Sequence, residues 1–285
     1  MAGTDPRTPD ARGASRWWWV LGVVAVVAGL ALLVVQPWEG IETEPLVTGT
    51  HAPESSSPTR TAVPTPTPSE STQVPPPGTD ATFDADTLAA LFVTPDQLVA
   101  VVPAAAPAVL PGITAGELTW GLPTGTSVSP ASCTTAVTVT SRAPASFDAR
   151  SWTNTGFAFE QSVTLLATPD AAQSAFSALV TTIDACADFT VVTAAGGVDP
   201  WHAEPAIEGQ GVYPSIVQQV VRGQERVPGF HGQMLVGNAI VTWTASALGG
   251  SDEDAALATL GDPMMLSAMV QKQAVGAVGS LGPPA

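Results

Sequence analysis

A run of nineteen residues without a charge, Trp17–Val35, constrains this chain more than any other feature of its sequence. A helix over this run is roughly 28 Å long at 1.5 Å per residue, which matches the hydrocarbon thickness of a bilayer. Three tryptophans begin the run and Trp38 follows it, where amphipathic rings favour the headgroup zones. The pattern predicts a transmembrane helix over residues 17–37.

The charges that flank this run predict its orientation. Arg7, Arg12 and Arg16 precede it, whereas the charged residues that follow it are all acidic until Arg60. The bias of basic residues towards the cytoplasm therefore predicts a cytoplasmic tail over residues 1–16 and an extracytoplasmic remainder. A cleaved signal peptide is the alternative, but its apolar region is about 7–15 residues long and ends in a small-x-small site. The sequence favours an uncleaved single-pass signal anchor.

A segment rich in Pro, Thr and Ser follows over residues 38–83. Its most biased part, residues 53–77, reads PESSSPTRTAVPTPTPSESTQVPPP. Such a segment buries too little apolar surface to offset the entropy of ordering, so we predict an extended extracytoplasmic linker. A spacer through a cell envelope and a plain solubilising linker fit this composition equally well.

Periodic apolar residues return at Asp84, and we predict one folded domain over residues 84–278, followed by a flexible tail over 279–285. Helices are predicted at Asp84–Leu91, at Thr94–Val102, after Thr168, and from a cap at Ser251, with an interruption at Pro263, to about Val275. Strands are predicted at Cys133–Ser141, Phe157–Leu166, Phe189–Thr193, Ser215–Arg222, Gln233–Val236 and Ala239–Ala247. Because the last three strands follow one another without a helix, the fold class is α+β, with a mainly antiparallel sheet packed with helices.

The helix after Thr168 has the clearest signals in the chain. Thr168 is a good N-cap, Pro169 suits the first turn, and Asp170 favours the positive end of the helix dipole. The apolar residues then recur at helical spacing and form one buried stripe: Phe176, Leu179, Val180, Ile183 and Cys186.

Several of these segments resemble a known family. The block FAFEQSVTLLATPDAAQSAFSALVTTIDACADFT (157–190) resembles the extracellular sensor domain of a mycobacterial Ser/Thr kinase and of related secreted or lipid-anchored actinobacterial proteins. LAALFVTPDQLVAVV (88–102) is similar to the opening segment of that family, GNAIVTWTASA (237–247) to its late strand, and Cys133 stands where an upstream cysteine is expected. The resemblance implies a sensor-type domain outside the membrane without kinase activity of its own.

Cys133 and Cys186 are the two cysteines of the chain. Both lie outside the membrane in the predicted topology, where an oxidising compartment allows disulfides to persist. We therefore predict a disulfide between them.

Motifs for catalysis and for cofactors are not assembled in the sequence. The serine-hydrolase elbow is approached only by Gly125–Ser129, which lacks the second Gly, and Lys272, the single lysine, belongs to no phosphate-binding loop. We predict no catalytic residues, no metal and no cofactor, and a ligand-binding protein rather than an enzyme. A hydrolase whose residues meet only in space, or a structural envelope protein, is the alternative.

A loop-like segment carries the strongest candidate ligand site. Trp201 and His202 lie in the run DPWHAE, and Tyr213, the only tyrosine, follows shortly after. Aromatic and titratable residues between Gly and Pro are typical of binding loops. The alternative is that Trp201 plugs the edge of the core while His202 is solvated. Glu160 interrupts an apolar strand, and outward-facing alternation explains it.

The charge of the chain limits its partners. Its formal net charge is −16, from 25 acidic and 9 basic residues, so nucleic acids and other polyanions are repelled at long range. We expect the partner to be a small neutral or cationic, partly apolar molecule of the cell envelope, or an envelope protein, with the membrane contacted through Trp17–Val35.

Overall fold

One mainly antiparallel sheet organises the residues that the computed structural model describes, 78–250 and 252–282. Its ten strands run in the spatial order β1-β3-β4-β10-β9-β8-β6-β5-β2, and β7 pairs with β8. The strands are β1 (Leu110–Pro111), β2 (Ser127–Ser129), β3 (Ser146–Thr153), β4 (Phe157–Leu165), β5 (Asp188–Val192), β6 (Val198–Ala203), β7 (Ile207–Glu208), β8 (Ser215–Arg222), β9 (Val227–Val236) and β10 (Ala239–Ala247). The predicted α+β class with an antiparallel sheet is confirmed for this part of the chain.

Helices precede, interrupt and follow the strands. They are α1 (Pro95–Val101), α2 (Thr134–Thr138), α3 (Pro169–Ala185), α4 (Glu253–Leu260) and α5 (Pro263–Ser280), with 3₁₀ turns at Leu88–Leu91, Pro103–Ala105 and Ala131–Cys133. The predicted caps of α1 and α3 are confirmed, because the side chains of Thr94 and Thr168 accept hydrogen bonds from Gln97 N and Ala171 N. The two strongest helix signals of the sequence therefore begin helices where they were expected.

The predicted strand at Cys133–Ser141 is wrong. This segment forms the end of a 3₁₀ turn and then helix α2. Its inward-facing residues, Cys133, Ala136 and Val139, are spaced by three, so the apolar pattern fits a helical turn as well as an alternating strand. Thr138 reinforces the turn, since its hydroxyl donates to the Thr134 carbonyl at 3.1 Å.

Two other predicted helix boundaries also change. Only Leu88–Leu91 of the predicted helix Asp84–Leu91 is helical, because the Asp84 carboxylate accepts from the backbone N–H groups of Asp86 and Thr87 and holds a local turn instead. Ser251 lies outside the described residues, and Asp252 is the N-cap of α4. The predicted interruption at Pro263 is confirmed, because α4 ends at Leu260 and Pro263 occupies the first turn of α5.

One face of the sheet, here called the core face, packs against α1, α4 and α5. It carries the odd-numbered residues of β4 and β10, among them Phe157, Phe159 and Trp243, all nearly fully buried. Gly232 lies beside Trp243 in the register, and a Cβ there would collide with the indole. The large apolar side chains of the core therefore collect on one side of the sheet.

The opposite face, here called the cavity face, is only partly covered. Helix α3 packs its residues Phe176, Leu179 and Ile183 against Ile216 of β8 and Ile240 of β10. The Cys133–Cys186 disulfide is present, with a Cα–Cα distance of 5.7 Å, and joins the start of α2 to the end of α3. This confirms the predicted pairing.

The predicted transmembrane segment lies outside the described residues. So do the predicted cytoplasmic tail and most of the predicted linker, since the described part begins at residue 78. None of the helices within the described ranges is long and apolar enough to cross a membrane.

Candidate functional site

The uncovered part of the cavity face forms a cavity of about 310 Å³. Strands β4, β8, β9 and β10 supply its floor. Its wall is formed by apolar side chains of α2, the end of α3, β5 and β6, and by Leu118 in the loop before β2. The side chains from these elements are Val137, Val139, Ile183, Phe189 and Trp201. The cavity combines an apolar, aromatic wall with a polar floor, which is typical of small-molecule sites.

A row of polar side chains crosses the cavity floor. Glu160, Thr244, His231 and Gln218 are register partners on four neighbouring strands. Register partners in antiparallel strands share a face, with Cβ atoms about 4.5–5.5 Å apart. The row therefore places acceptors and donors side by side on the face opposite the core.

Two opposite charges meet over this floor. Arg222 Nη1 lies 3.5 Å from Glu160 Oε2, and their side chains are 30% and 46% exposed. A pair this open to solvent contributes little to stability, but it leaves several guanidinium N–H groups and carboxylate lone pairs open to a ligand. Glu160 does face away from the core, as the alternation predicted, and that face is the one that carries the cavity.

His231 is the buried titratable group of the site. Its Nδ1 lies 2.9 Å from the Thr244 hydroxyl, and the Trp201 ring packs edge-on against the imidazole at 5.2 Å. Burial, and secondarily the nearby Arg222, lowers the pKa of His231 to about 4. The imidazole is therefore neutral at pH 7, and it presents a polar surface without a charge.

Three polar side chains on the same face lack partners among the described residues. The hydroxyls of Thr164 and Thr242 and both amide atoms of Gln233 are buried without a hydrogen bond. Thr242 lines the cavity, and Gln233 is its register partner on β9. Most buried polar groups are hydrogen-bonded in folded proteins, so these three side chains are exceptions in the described part of the fold, together with Arg150 Nε.

The structure separates the three residues of the predicted ligand site. Trp201 lines the cavity and stacks on Phe189 at a centroid distance of 5.5 Å. His202, the next residue of β6, points to the opposite side of the strand. Tyr213 is buried in the main core, just before β8 begins. Trp201 pairs with Arg222 at the other end of β8, which is roughly 23 Å away at the spacing of residues in a strand.

His202 lies on the surface among carboxylates. Its Nδ1 is 2.7 Å from Asp188, and its Nε2 is 3.7 Å from Glu204. The hydrogen bond to Asp188, with smaller contributions from both charges, raises the pKa of His202. Among residues 78–250 and 252–282, no group of three His, Cys, Asp or Glu side chains is placed to hold a metal ion.

Sequence reasoning missed Arg222, His231 and Gln233. His231 and Gln233 alternate in β9 with apolar residues that are buried on the core face, and Arg222 ends β8. The missed signal lies in the residues of β4 and β10 that face away from the core. Most of them are polar: Glu160, Ser162, Thr164, Thr242, Thr244 and Ser246. A polar alternate face in strands this buried indicates a cavity or a second buried layer.

Comparison with solved structures identifies the fold. The chain is similar to the extracellular domain of PknH from Mycobacterium tuberculosis, with a TM-score of 0.52 and 16% identity over 70% of this chain and 98% of that one. An uncharacterised protein from Mycobacterium smegmatis aligns with 17% identity over 60% of this chain and 86% of that one, but its TM-score is only 0.31. No protein-family model matches the sequence, and no curated protein is significantly similar to it. The first likeness confirms, for the fold, the resemblance carried by the sequence segments.

Proposed function

We propose that the chain is a single-pass membrane protein whose outer, sensor-type domain binds a small ligand in the cavity. The observation that carries the proposal is the cavity itself, because its volume of about 310 Å³ falls at the lower end of the usual range for ligand sites. Binding there, rather than catalysis, is the proposed role, and the chain has no kinase activity of its own.

The charge distribution supports an uncharged or cationic ligand. Glu160 and Asp199 line the cavity together with Arg150 and Arg222, so the site has no excess of positive charge. The chain as a whole carries a formal charge of −16, and its long-range field repels anions. A neutral molecule meets neither repulsion nor the cost of burying an unpaired charge.

The properties of His231 favour binding over hydrolysis. A hydrolase needs a general base whose pKa is near the working pH, whereas burial lowers the pKa of His231 to about 4. The Thr244 hydroxyl is hydrogen-bonded to the His231 imidazole, so the base beside this hydroxyl is a weak one. A hydrolase with a base elsewhere is the alternative that the experiment has to address.

The test uses the full chain in mild detergent and a panel of uncharged, cationic and anionic envelope fragments, with the unfolding temperature as readout. We expect uncharged or cationic fragments to raise it. Leu118→Arg places a bulky charge at the cavity rim and should abolish the rise. Leu248→Arg is the matched control, because Leu118 and Leu248 are 44% and 47% exposed and only Leu118 lines the cavity.

Two results would contradict the proposal. A temperature rise that persists in Leu118→Arg would place the ligand outside the cavity. Covalent labelling of the native chain by a serine-hydrolase probe would favour the enzyme instead.

A further inference from the structure

The charged side chains that line the cavity are more exposed than its uncharged polar ones. Glu160 and Arg222 have side chains that are 46% and 30% exposed, and Asp199 is exposed as well. Gln218 and Thr244, by contrast, are buried on the floor. Because burial of an unpaired charge is costly, a charged group of a ligand is expected at the open side of the cavity and an uncharged part inside.

Arg150 does not add its charge to this open side. Its guanidinium packs over the Phe92 ring of the main core, 4.3 Å from the ring centroid. Its Nε lies 3.5 Å from Oδ2 of Asp148, which compensates the charge. The charged side chains that remain at the open side are two carboxylates and one guanidinium: Glu160, Asp199 and Arg222. The open side therefore carries one excess negative charge.

Asp199 is the carboxylate that supplies this excess. Glu160 is paired with Arg222 at 3.5 Å, whereas the Asp199 side chain has neither a hydrogen bond nor an ion pair among the described residues. Asp199 lies two residues before Trp201 on β6, so both side chains are on the face that lines the cavity. A Cβ on Gly223 would be 3.5 Å from Asp199 Oδ1, which places this free acceptor beside the end of β8.

We propose that the cavity binds a small monocation, with its ammonium group at Asp199 and an apolar ring against Trp201; this inference rests on the proposed function of the cavity. Trp201 and Phe189 stack at 5.5 Å and supply an aromatic wall for the ring. The volume of about 310 Å³ suits one ring with a short side chain. The formal charge of −16 adds a long-range attraction for cations.

The test is isothermal titration of the full chain in detergent, with protein-free detergent as the blank. Its probes have similar shapes but are cationic, uncharged and anionic at pH 7: phenethylamine, phenethyl alcohol and phenylacetate. We expect phenethylamine to bind about two- to fivefold more tightly than phenethyl alcohol at low salt, which is the range that a solvent-exposed ion pair contributes, and phenylacetate to bind most weakly. Added salt should reduce the difference, because exposed charges are screened.

Variants identify the residue responsible. Asp199→Asn should abolish the preference for phenethylamine over phenethyl alcohol. Asp199→Lys should reverse the order, so that phenylacetate binds most tightly. Asp184→Asn and Asp184→Lys are the matched controls, because Asp184 is exposed on α3 but does not line the cavity, and they should keep the preference. Since Asp199 is exposed and unpaired, its variants should unfold at the same temperature as the parent without a probe.

Three results would overturn the inference: equal binding of phenethylamine and phenethyl alcohol, no binding of any probe, or a preference that Asp199→Lys leaves unchanged. Equal binding that is lost in Leu118→Arg would overturn it while leaving the proposed function of the cavity intact. Binding that persists in Leu118→Arg would place the probes outside the cavity and contradict both.

Discussion

The two faces of the sheet are built from the same strands but differ in how their buried polar side chains are hydrogen-bonded. On the core face two buried glutamines are satisfied: Gln161 bonds to Leu91 and Val93, and Gln271 of α5 bonds to the backbone of Tyr213. On the cavity face Thr242 and Gln233 keep buried polar atoms without partners. Since folding alone gains nothing from such atoms, the difference separates the part of the domain that stabilises it from the part that we assign to binding.

The two faces are also held by different means. Three helices cover the core face, whereas the cavity face has α3 and the disulfide. Cys133 and Cys186 pack with Val128 and Phe189 in a small cluster beside the cavity, and Cys186 itself lines it. The covalent bond therefore fixes one wall of the cavity where the buried apolar surface is small.

The largest expected effect is the loss of a core-face aromatic. Phe159 is fully buried and lies 6.2 Å from Trp243, ring centroid to ring centroid. Phe159→Ala should lower the free energy of unfolding by about 3–5 kcal/mol, because it removes buried area and leaves a cavity. Leu118→Ala on the cavity rim should cost less than about 1 kcal/mol. Urea denaturation measures both, and equal losses would mean that the two faces contribute alike.

Removal of the disulfide should have the next largest effect. The bond closes a loop with a sequence separation of 53, for which the chain-entropy model gives about 4 kcal/mol and measurements typically give 2–4 kcal/mol. We expect the double variant Cys133→Ser/Cys186→Ser to lose that much stability. Backbone hydrogen exchange should become faster in this variant, mainly in α3 and the cavity wall rather than in α5.

The native protein provides an independent check on this bond. Its intact mass should be about two daltons lower without reductant than with it, since disulfide formation removes two hydrogens. Two free thiols in the unreduced protein would contradict the pairing.

Protonation of His231 gives a smaller, pH-dependent effect. Burial lowers its pKa in the folded state to about 4, below the value near 6.5 of an unfolded chain. Between these values the unfolded state binds more protons, so stability is fully present above pH 6.5 and falls towards pH 4, by up to about 3 kcal/mol. His231→Gln should flatten this part of the profile of unfolding free energy against pH.

His202 on the surface should respond in the opposite direction. Its folded pKa is raised by Asp188, so any stabilisation is present below the unfolded pKa and is lost as the pH rises through the folded one. An NMR titration of the imidazole protons should show His231 titrating below and His202 above the usual pKa. Normal pKa values at both His202 and His231 would contradict both environments.

Local signals predicted most of the elements. The cap and stripe of α3 and the β-forming residues of β4, β8 and β10 are sufficient to place those elements within a residue or so. Strand β3 was missed because SFDARSWT lacks an apolar alternation, and its burial pattern is irregular. Strand β9 was predicted only at its end, since Pro228, Gly229 and Gly232 weaken the strand signal.

The site was less predictable than the fold. The sequence indicates Trp201, which does line the cavity, but successive residues of a strand face opposite sides, so His202 faces away from it. Glu160, His231 and Gln218 come together only because β4, β10, β9 and β8 are neighbours in that order. Sequence periodicity indicates which residues share a face of one strand, but it does not contain the order of the strands.

The most direct test of the difference between the two faces is the free energy of unfolding of Gln161→Leu and Gln233→Leu, measured side by side without ligand. Gln161→Leu leaves the Val93 N–H and the Leu91 carbonyl buried and unpaired and should cost about 1–3 kcal/mol. Gln233→Leu removes a side chain that has no partners and should be neutral or stabilising. An equal loss in both variants would show that Gln233 is a structural residue and would contradict the division of the sheet into a stabilising face and a binding face.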